Sequence, residues 1–538
     1  MTDPFNLIHS PWIPVVGNDG REEELGLREV FARARTLREI RDPIPTEEFG
    51  LYRLLVALTL DIFDFDKDSI NEWVTIVRAG EWDMERVDAY FKEHGSLFNL
   101  FDADRPFMQM KGMDGTEAKP LSALLPVMPS GTNAIHFHHA LEDDFGVTPA
   151  AAARLLTTIA PFMTAGGAGL SPSINGAPPF YVLVTGKNLF ETICFNTYVM
   201  PLETDGDGPP AWRSTAAMTS ERRKGASLRE ALTWRPRRIR LIPGPGGVCS
   251  LTGRKSEILV RCMNFAAGES VDFSWLDPNV PYRMDKDART PMRPREGREV
   301  WRDSGPLAFM KKGDYGLGDS KAIYERPRMI GQFQTAMERR AIPKTSELRL
   351  VAYALRTDMK MKVFEWFREP LSVPVALIWN DEIRGIARDA MEKAEKVAYT
   401  MRRAIRICYP REAAGNKSGF EKLAGHAERR YWNDLHSSYG KFLHGLAQLG
   451  DETRNMDSRI AAMAQWEQDV RRVGHDSLQE AIDDLDTDDD ALHRWVEARD
   501  YFNRQLASAF SPNGADHQKG TKAASRKSDK PAKGDDKL

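Results

Sequence analysis

Apolar positions recur at helical spacing in four successive stretches of the last third of the chain. Ile383, Ile386, Ala390, Met391, Val397, Met401, Ile405 and Cys408 share one face of a helix that starts at Asp381. Phe420, Leu423, Ala427, Tyr431, Leu435, Tyr439, Phe442 and Leu446 mark a second. Met456, Ile460, Met463, Val470 and Val473 mark a third, and Leu492, Trp495, Val496, Phe502, Leu506 and Phe510 a fourth. Short connections between them predict a four-helix bundle whose aromatic stripes are core.

Upstream the pattern is mixed. Tyr52, Leu55, Leu58, Thr59 and Ile62 predict a helix over residues 46–63, opened by Thr46, Glu47 and Glu48. The apolar run of residues 5–16, around Pro11 and Pro14, reads as an edge strand interrupted by proline. Residues 180–185 read as a buried strand, and Asn188 with Glu191 as a capping box opening a helix over 189–200. From Pro201 onward, polar and Gly/Pro-rich loops alternate with short apolar runs, which predicts loop-rich β structure. Residues 348–374 read as a strand, a turn at 356–358, a helical piece through Phe364 and Trp366, and a boundary at Pro370 and Pro374. The expected class is α+β: a mixed domain over 1–374, the bundle over 375–510, and a disordered tail over 511–538 that lacks apolar anchors.

One stretch stands apart from these elements. Residues 165–179, AGGAGLSPSINGAPP, carry almost no side chains at Gly166, Gly167, Ala168 and Gly169, and prolines keep the rest irregular. Held between elements, such a loop lets a large partner approach main-chain amides closely. The same composition also suits a plain surface turn.

The chain has 538 residues and a net charge of -3, so it is no general polyanion binder, and any nucleic-acid surface must be local. Basic residues do cluster locally. Arg222, Arg223 and Lys224 form one group, and Arg235, Arg237, Arg238 and Arg240 a second. Residues 283–302 hold the third, with seven Lys/Arg against four Asp/Glu. Such patches supply phosphate contacts or simply solvated surface. Four scattered cysteines without a CxxC pair fit a reducing compartment. No signal-peptide pattern and no long apolar run is present, so the expectation is a cytoplasmic protein without a membrane span.

Catalytic signatures are lacking: HExxH, GxSxG and GxxxxGK[ST] do not occur. His136, His138 and His139 could bind a metal, but no second ligand cluster accompanies them, and no metal, cofactor or enzymatic activity is expected.

Several stretches together resemble one family, the large subunit (CasA) of the type I-E CRISPR surveillance complex, Cascade. LIHSPWIPV near the start looks like the family's opening, and Arg105 to Gly112, RPFMQMKG, resembles its PFMQ-x-KG segment. Ser130-Gly131-Thr132-Asn133 looks like its SG-x-TN turn, and residues 165–179 like its glycine loop. Thr357-Asp358-Met359-Lys360, with Pro370-Leu371 downstream, resembles its TDNMK…PL segment. AERRYW, from Ala427, resembles the AER-x-[FY] stretch of its bundle. The match runs from about residue 6 to 510.

The resemblance implies a non-enzymatic subunit that works with the handle-binding, backbone and small subunits of the complex and with CRISPR RNA. It implies inspection of double-stranded target DNA for the protospacer-adjacent motif (PAM), help in parting the strands, and a platform for a helicase-nuclease. Gly166, Gly167 and Ala168 fall where the family's glycine loop approaches the PAM pair. A basic partner is implied within 283–295, with Lys286, Arg289 and Arg293 as candidates, and a polar one within 356–360: Arg356, Asp358, Met359 or Lys360. Phe137 matches an aromatic that approaches the guide handle, where stacking on a base would suit it, although a core phenylalanine reads equally well. The segment TDMK is one residue shorter than TDNMK, which leaves the reading residue open, and Met359 could act as an apolar wedge. Some members have a cysteine cluster that looks like a zinc site; here only Cys249 and Cys262 remain, too few thiols for one. The alternative is an assembly subunit whose loop is only structural.

Overall fold

Pro45 opens the helix around which the first part of the chain packs. With its fixed φ and no N–H to satisfy, proline suits the first helical position. In the computed structural model that helix runs Pro45–Ile62 and is buried on nearly every side, not on one stripe. The structure describes residues 5–65, 69–113, 115–125, 144–164, 169–202, 206, 208–215, 222–285, 288–310, 323–357, 362–410, 417–449, 456–485 and 489–510. They divide into two compact units, one through Ile378 and one from Trp379.

Within the first unit, the helix buries four ionisable side chains, each met by one of opposite type from a distant segment. Glu47 faces Arg154 at 3.1 Å, Glu48 faces Arg368 at 2.7 Å, Arg53 faces Asp277 at 2.8 Å and Asp61 faces Arg213 at 2.9 Å. A buried charge is tolerated only when paired in this way. The helix is therefore tied by these polar contacts to four parts of the unit, while Phe49, Leu51, Leu55 and Leu58 fill the core around it.

Strand β1 (Ile13–Gly17) lies between β2 (Glu22–Leu25) and β3 (Leu37–Ile40), antiparallel to both. The stretch expected at a sheet edge is thus central. Pro14 is accommodated because the β1–β3 register begins only at Val15, and its carbonyl still accepts from the Arg41 N–H at 3.1 Å. A second sheet has the order β4 (Ala118–Pro120), β8 (Lys255–Ala267), β7 (Arg237–Val248). The two-residue strands β6 (Arg222–Arg223) and β9 (Ser270–Val271) pair in parallel, and β10 (Tyr282–Asp285) lies between β11 (Ala288–Pro291) and β12 (Ile323–Glu325).

The remaining sheet has the order β14 (Val363–Pro374), β13 (Glu347–Thr357), β5 (Tyr181–Val184), all antiparallel. Here the expected helical piece through Phe364 and Trp366 is a strand: β14 pairs with β13 along its whole length, Leu355 opposite Trp366 and Ala354 opposite Phe367. Cross-strand pairing overrode the local pattern. Pro370 and Pro374 sit on this outer strand, where missing donors cost little. Asn188 does cap the next helix, accepting from the Glu191 N–H at 2.9 Å, but Glu191 turns back to the Lys187 N–H. That helix ends at Asn196, not 200, because the Asn196 side chain bonds both N–H and C=O of Val184 at the sheet.

The second unit contains helices Asp381–Cys408, Lys417–Leu449, Met456–Asp483 and Ala491–Ala509, the expected bundle. Asn380, one residue before the expected start, caps the first by accepting from Glu382 and Ile383 N–H groups. Met391, Val397, Met401, Tyr431, Leu435, Trp466, Val470 and Phe502 are buried. Tyr431 Oη and Trp466 Nε1 each donate to a carbonyl of the first helix, Ala394 and Ala390, both at 2.9 Å. Ile460, Leu492 and Val496, expected in the core, are exposed instead; Arg494 and Ala498 face inward on the last helix. Arg494 turns inward because its Nε reaches the Cys408 carbonyl at 3.3 Å. Among the described residues no helix is long and apolar enough to cross a membrane.

Candidate nucleic-acid interface

Gly166, Gly167 and Ala168 lie outside the described residues, but both limbs that carry them are described. The Ser173 N–H donates to the Met163 carbonyl at 2.8 Å, bringing the limbs together. Closer to the tip, Arg237 donates from Nη2 to the Thr164 carbonyl at 2.8 Å and from Nη1 to the Ser171 carbonyl. Beyond them the chain turns at Gly176, whose φ of 75° favours glycine, and the Ser173 hydroxyl donates to its carbonyl. Asn175 then anchors the limb in the core, donating to Tyr181 Oη at 3.1 Å and to the Asp277 carboxylate at 3.0 Å.

The third basic segment packs against this limb. Arg293 donates from Nε to the Ala177 carbonyl at 3.2 Å, and the Phe180 N–H bonds the Met292 carbonyl at 2.9 Å. Arg293 and Arg295 are both exposed. Arg289 is instead engaged with Glu325 at 3.3 Å, and Arg298 with Asp303 at 2.8 Å. Lys286 lies outside the described residues.

The hairpin of β13 and β14 supplies the third segment. Arg356 pairs with Glu365 across the strands, sits over the Phe367 ring at 5.1 Å and donates to the Arg298 carbonyl at 2.9 Å. Asp358, Met359 and Lys360 lie outside the described residues, between Thr357 and Lys362. The register fixes which end of the sheet they leave from. β5 is antiparallel to β13 with Tyr181 opposite Tyr353 and Val184 opposite Leu350. The start of β5, and with it the glycine limb, therefore lies at the end of the sheet where β13 finishes at Thr357. Three segments that are far apart in sequence meet at one sheet end.

The other basic groups are divided by the fold. Strand alternation turns Arg237 inward and leaves Arg238 and Arg240 half-buried on the opposite face. Arg235 is buried beside Glu269, and burial pulls its pKa down. Arg223 bridges Glu230 and Glu269 at 2.8 and 3.2 Å, while Arg222 and Lys224 stay exposed. An arginine committed to a carboxylate is poorly placed to hold a phosphate, because the pair must first be broken. Arg295, which pairs with no carboxylate among the described residues, was not singled out by sequence, since a charge run does not reveal its partners. Arg237 was grouped with surface cations for the same reason.

Phe137, His136, His138 and His139 lie outside the described residues. Among the described residues no group of three or more His, Cys, Asp or Glu could hold a metal. Cys249 is buried and accepts from the Thr148 N–H at 3.5 Å, while Cys262 is exposed on β8.

The family model described as CRISPR-associated protein Cse1 matches residues 6–477. The CRISPR-associated protein CasA/Cse1 of Thermus thermophilus is 28% identical over 510 residues, covering 88% of this chain and 93% of that protein. The fold is similar to the crystal structure of Thermobifida fusca Cse1, with a TM-score of 0.74 at 22% identity, over 94% of this chain and 98% of that one. It is also similar to a chain of a structure described as a CRISPR RNA-guided surveillance complex, with a TM-score of 0.69 at 19% identity, over 94% and 99% of the two chains.

Proposed function

The chain belongs to the CRISPR-associated Cse1 family, and from that premise we propose that it is the large, PAM-reading subunit of an RNA-guided surveillance complex. Its partners are CRISPR RNA, the handle-binding, backbone and small subunits, double-stranded target DNA and a helicase-nuclease that it helps recruit. It acts in the cytoplasm by binding, without chemistry of its own.

The observation that carries this reading is the convergence of the glycine limb, the arginine segment and the β13–β14 hairpin at one sheet end. A PAM reader must act on an intact duplex, before the guide can pair. The minor groove is narrow, so a segment with almost no side chains enters where a bulky one clashes. Gly166, Gly167 and Ala168 fill that role. Exposed Arg293, with Lys286 earlier in the same basic segment, holds the flanking phosphates, and Arg295 adds a third cation. Arg289 and Arg356 act indirectly, fixing the two supporting segments through Glu325 and Glu365. Asp358, Met359 and Lys360, which follow Thr357 in sequence, supply the polar contact, with Met359 as the apolar wedge that parts the first base step. Phe137 stacks near the guide handle.

A binding assay of the reconstituted complex against duplexes with a randomised PAM, with and without this subunit, tests the reading. Sequence preference that appears only with the subunit supports it. Equal preference in both cases leaves an assembly role.

A further inference from the structure

The end of the β14–β13–β5 sheet away from Thr357 holds a separate feature. β5 finishes with Val184 opposite Leu350, while β13 extends past that pair to Glu347, and a recess opens beside residues 347–349. The chain leaving β5 is tied down over it. The Thr185 N–H donates to the Arg349 carbonyl at 2.9 Å, and the Gly186 N–H to Thr192 Oγ1 at 3.0 Å. A Cβ on Gly186 would stand 2.1 Å from Glu191 Cβ, so only glycine lets this turn pack onto the following helix. The recess encloses about 310 Å³, near the lower end for a small-ligand site, and its lining includes Phe195 and Phe333 in edge contact at 5.2 Å.

Three cations from three segments line it: Lys187 after β5, Lys344 before β13 and Arg349 on it, all exposed. Glu191 and Glu347 line it too, yet none of the three cations pairs with a carboxylate among the described residues. The two acids are engaged by their own surroundings. Glu191 accepts from the Lys187 N–H at 2.7 Å, and Glu347 from Ser372 Oγ at 2.9 Å. Arg53, Arg154 and Arg368 in the same unit are each matched by an acid. Three cations against two carboxylates leave a net positive charge in a concavity, which concentrates its field on whatever enters.

We propose that this recess binds a phosphate group, carried by a single nucleotide or by one link of a nucleic-acid strand. Phosphate presents several acceptor oxygens around one compact charge, and the lining offers matching donors: the planar fork of Arg349, the two point charges of Lys187 and Lys344, and the exposed Ser346 hydroxyl. A carboxylate has two oxygens and could not engage all three cations equally well. The volume suits one nucleotide and is too small for a peptide helix. The site uses other residues and the other sheet end from the groove-reading segments, so it stands without them.

Titration of the free subunit at low salt with AMP, inorganic phosphate and a single strand of about ten nucleotides tests this. AMP should bind saturably with a Kd below about 1 mM. Lys344→Ala and Arg349→Ala should each weaken it about tenfold, from loss of one charged hydrogen bond, with the melting temperature unchanged because both side chains are exposed. A strand that displaces AMP, and loses affinity in the same variants, identifies a strand phosphate as the ligand. AMP that the strand does not displace identifies a free nucleotide. Either result supports the site. No saturable binding of AMP, phosphate or strand would overturn it, as would binding indifferent to both substitutions. A poly-glutamate peptide that displaces AMP at equal concentration would make the recess a site for acidic protein and overturn the phosphate assignment. In the reconstituted complex, Arg349→Ala should leave the ratio of affinities for PAM-bearing and PAM-scrambled duplexes unchanged. A fall in that ratio would make the recess part of the first interface and overturn its independence.

Discussion

Arg53 donates from Nη1 to the Asp277 carboxylate at 2.8 Å, with both side chains sealed from solvent. The same carboxylate oxygen accepts from Asn175 on the glycine limb at 3.0 Å. One ion pair thus connects the central helix to the segment proposed to enter DNA. Asp277→Ala should destabilise the protein by about 3–5 kcal/mol, since it strands a buried guanidinium. Denaturant unfolding of the free subunit measures it. A loss below about 1 kcal/mol would show that the pair is not the anchor its burial implies.

Three carboxylates share one buried arginine: Glu24, Asp42 and Glu47 approach Arg154 at 3.3, 3.2 and 3.1 Å. One oxygen of Glu47, Oε1, has no hydrogen-bond partner among the described residues. Burial, reinforced by the charge of Asp42, pushes Glu47 up to about 8, and burial raises Asp42 as well. A carboxyl raised on folding holds its proton more tightly in the native state, so its contribution to stability is full below its unfolded value and is lost as pH rises through about 8. The melting temperature of the free subunit should therefore fall by a few degrees between about pH 6 and 8.5, and Glu47→Gln should flatten part of that fall. Equal slopes in the two proteins would contradict the assignment.

In the bundle, a Cβ on Gly474 would stand 2.9 Å from Val397 Cγ1 and 3.1 Å from Phe502 Cζ, whereas one on Gly440 would meet nothing within 4 Å. Gly474→Ala should cost about 1–3 kcal/mol through overpacking. Gly440→Ala, in a helix interior, should gain about 0.5–1 kcal/mol. Thermal unfolding of the two variants should move in opposite directions.

Much of this was legible from residue order. The bundle announced itself because long amphipathic helices repeat one period many times, and the strand before Asn188 because it is short, apolar and flanked by turn residues. What the pattern hid was long-range. Pro14 suggested an edge strand, and only the staggered register with β3 shows how a central strand tolerates it. Phe364 and Trp366 suggested a helix, and only β13 lying alongside makes them strand. Leu492 and Val496 fit the helical period, but the reach of Arg494 to Cys408 sets which face turns inward. For the candidate site, the glycine stretch and the basic segment could be read directly. Which arginines are committed to acids, and that Arg237 faces the loop while Arg238 does not, depends on partners tens to hundreds of residues away.

Arg293 and Arg295 provide a graded test of the phosphate role. Replacing both by alanine should lower the salt dependence of duplex binding by about one counterion per lost contact, uniformly across PAM sequences. Measuring affinity from low to moderate salt gives the slope. A slope identical to wild type would remove these arginines from the interface.

The central claim is that the side-chain-poor tip of residues 165–168 lies beside base pairs. It is tested most directly by the affinity of the reconstituted complex for a PAM-bearing duplex when the subunit carries Gly167→Asp. The account predicts a loss of at least about tenfold, from clash and repulsion in a narrow groove, with assembly of the complex and melting of the subunit unchanged. Wild-type affinity for that duplex in the variant complex would contradict it.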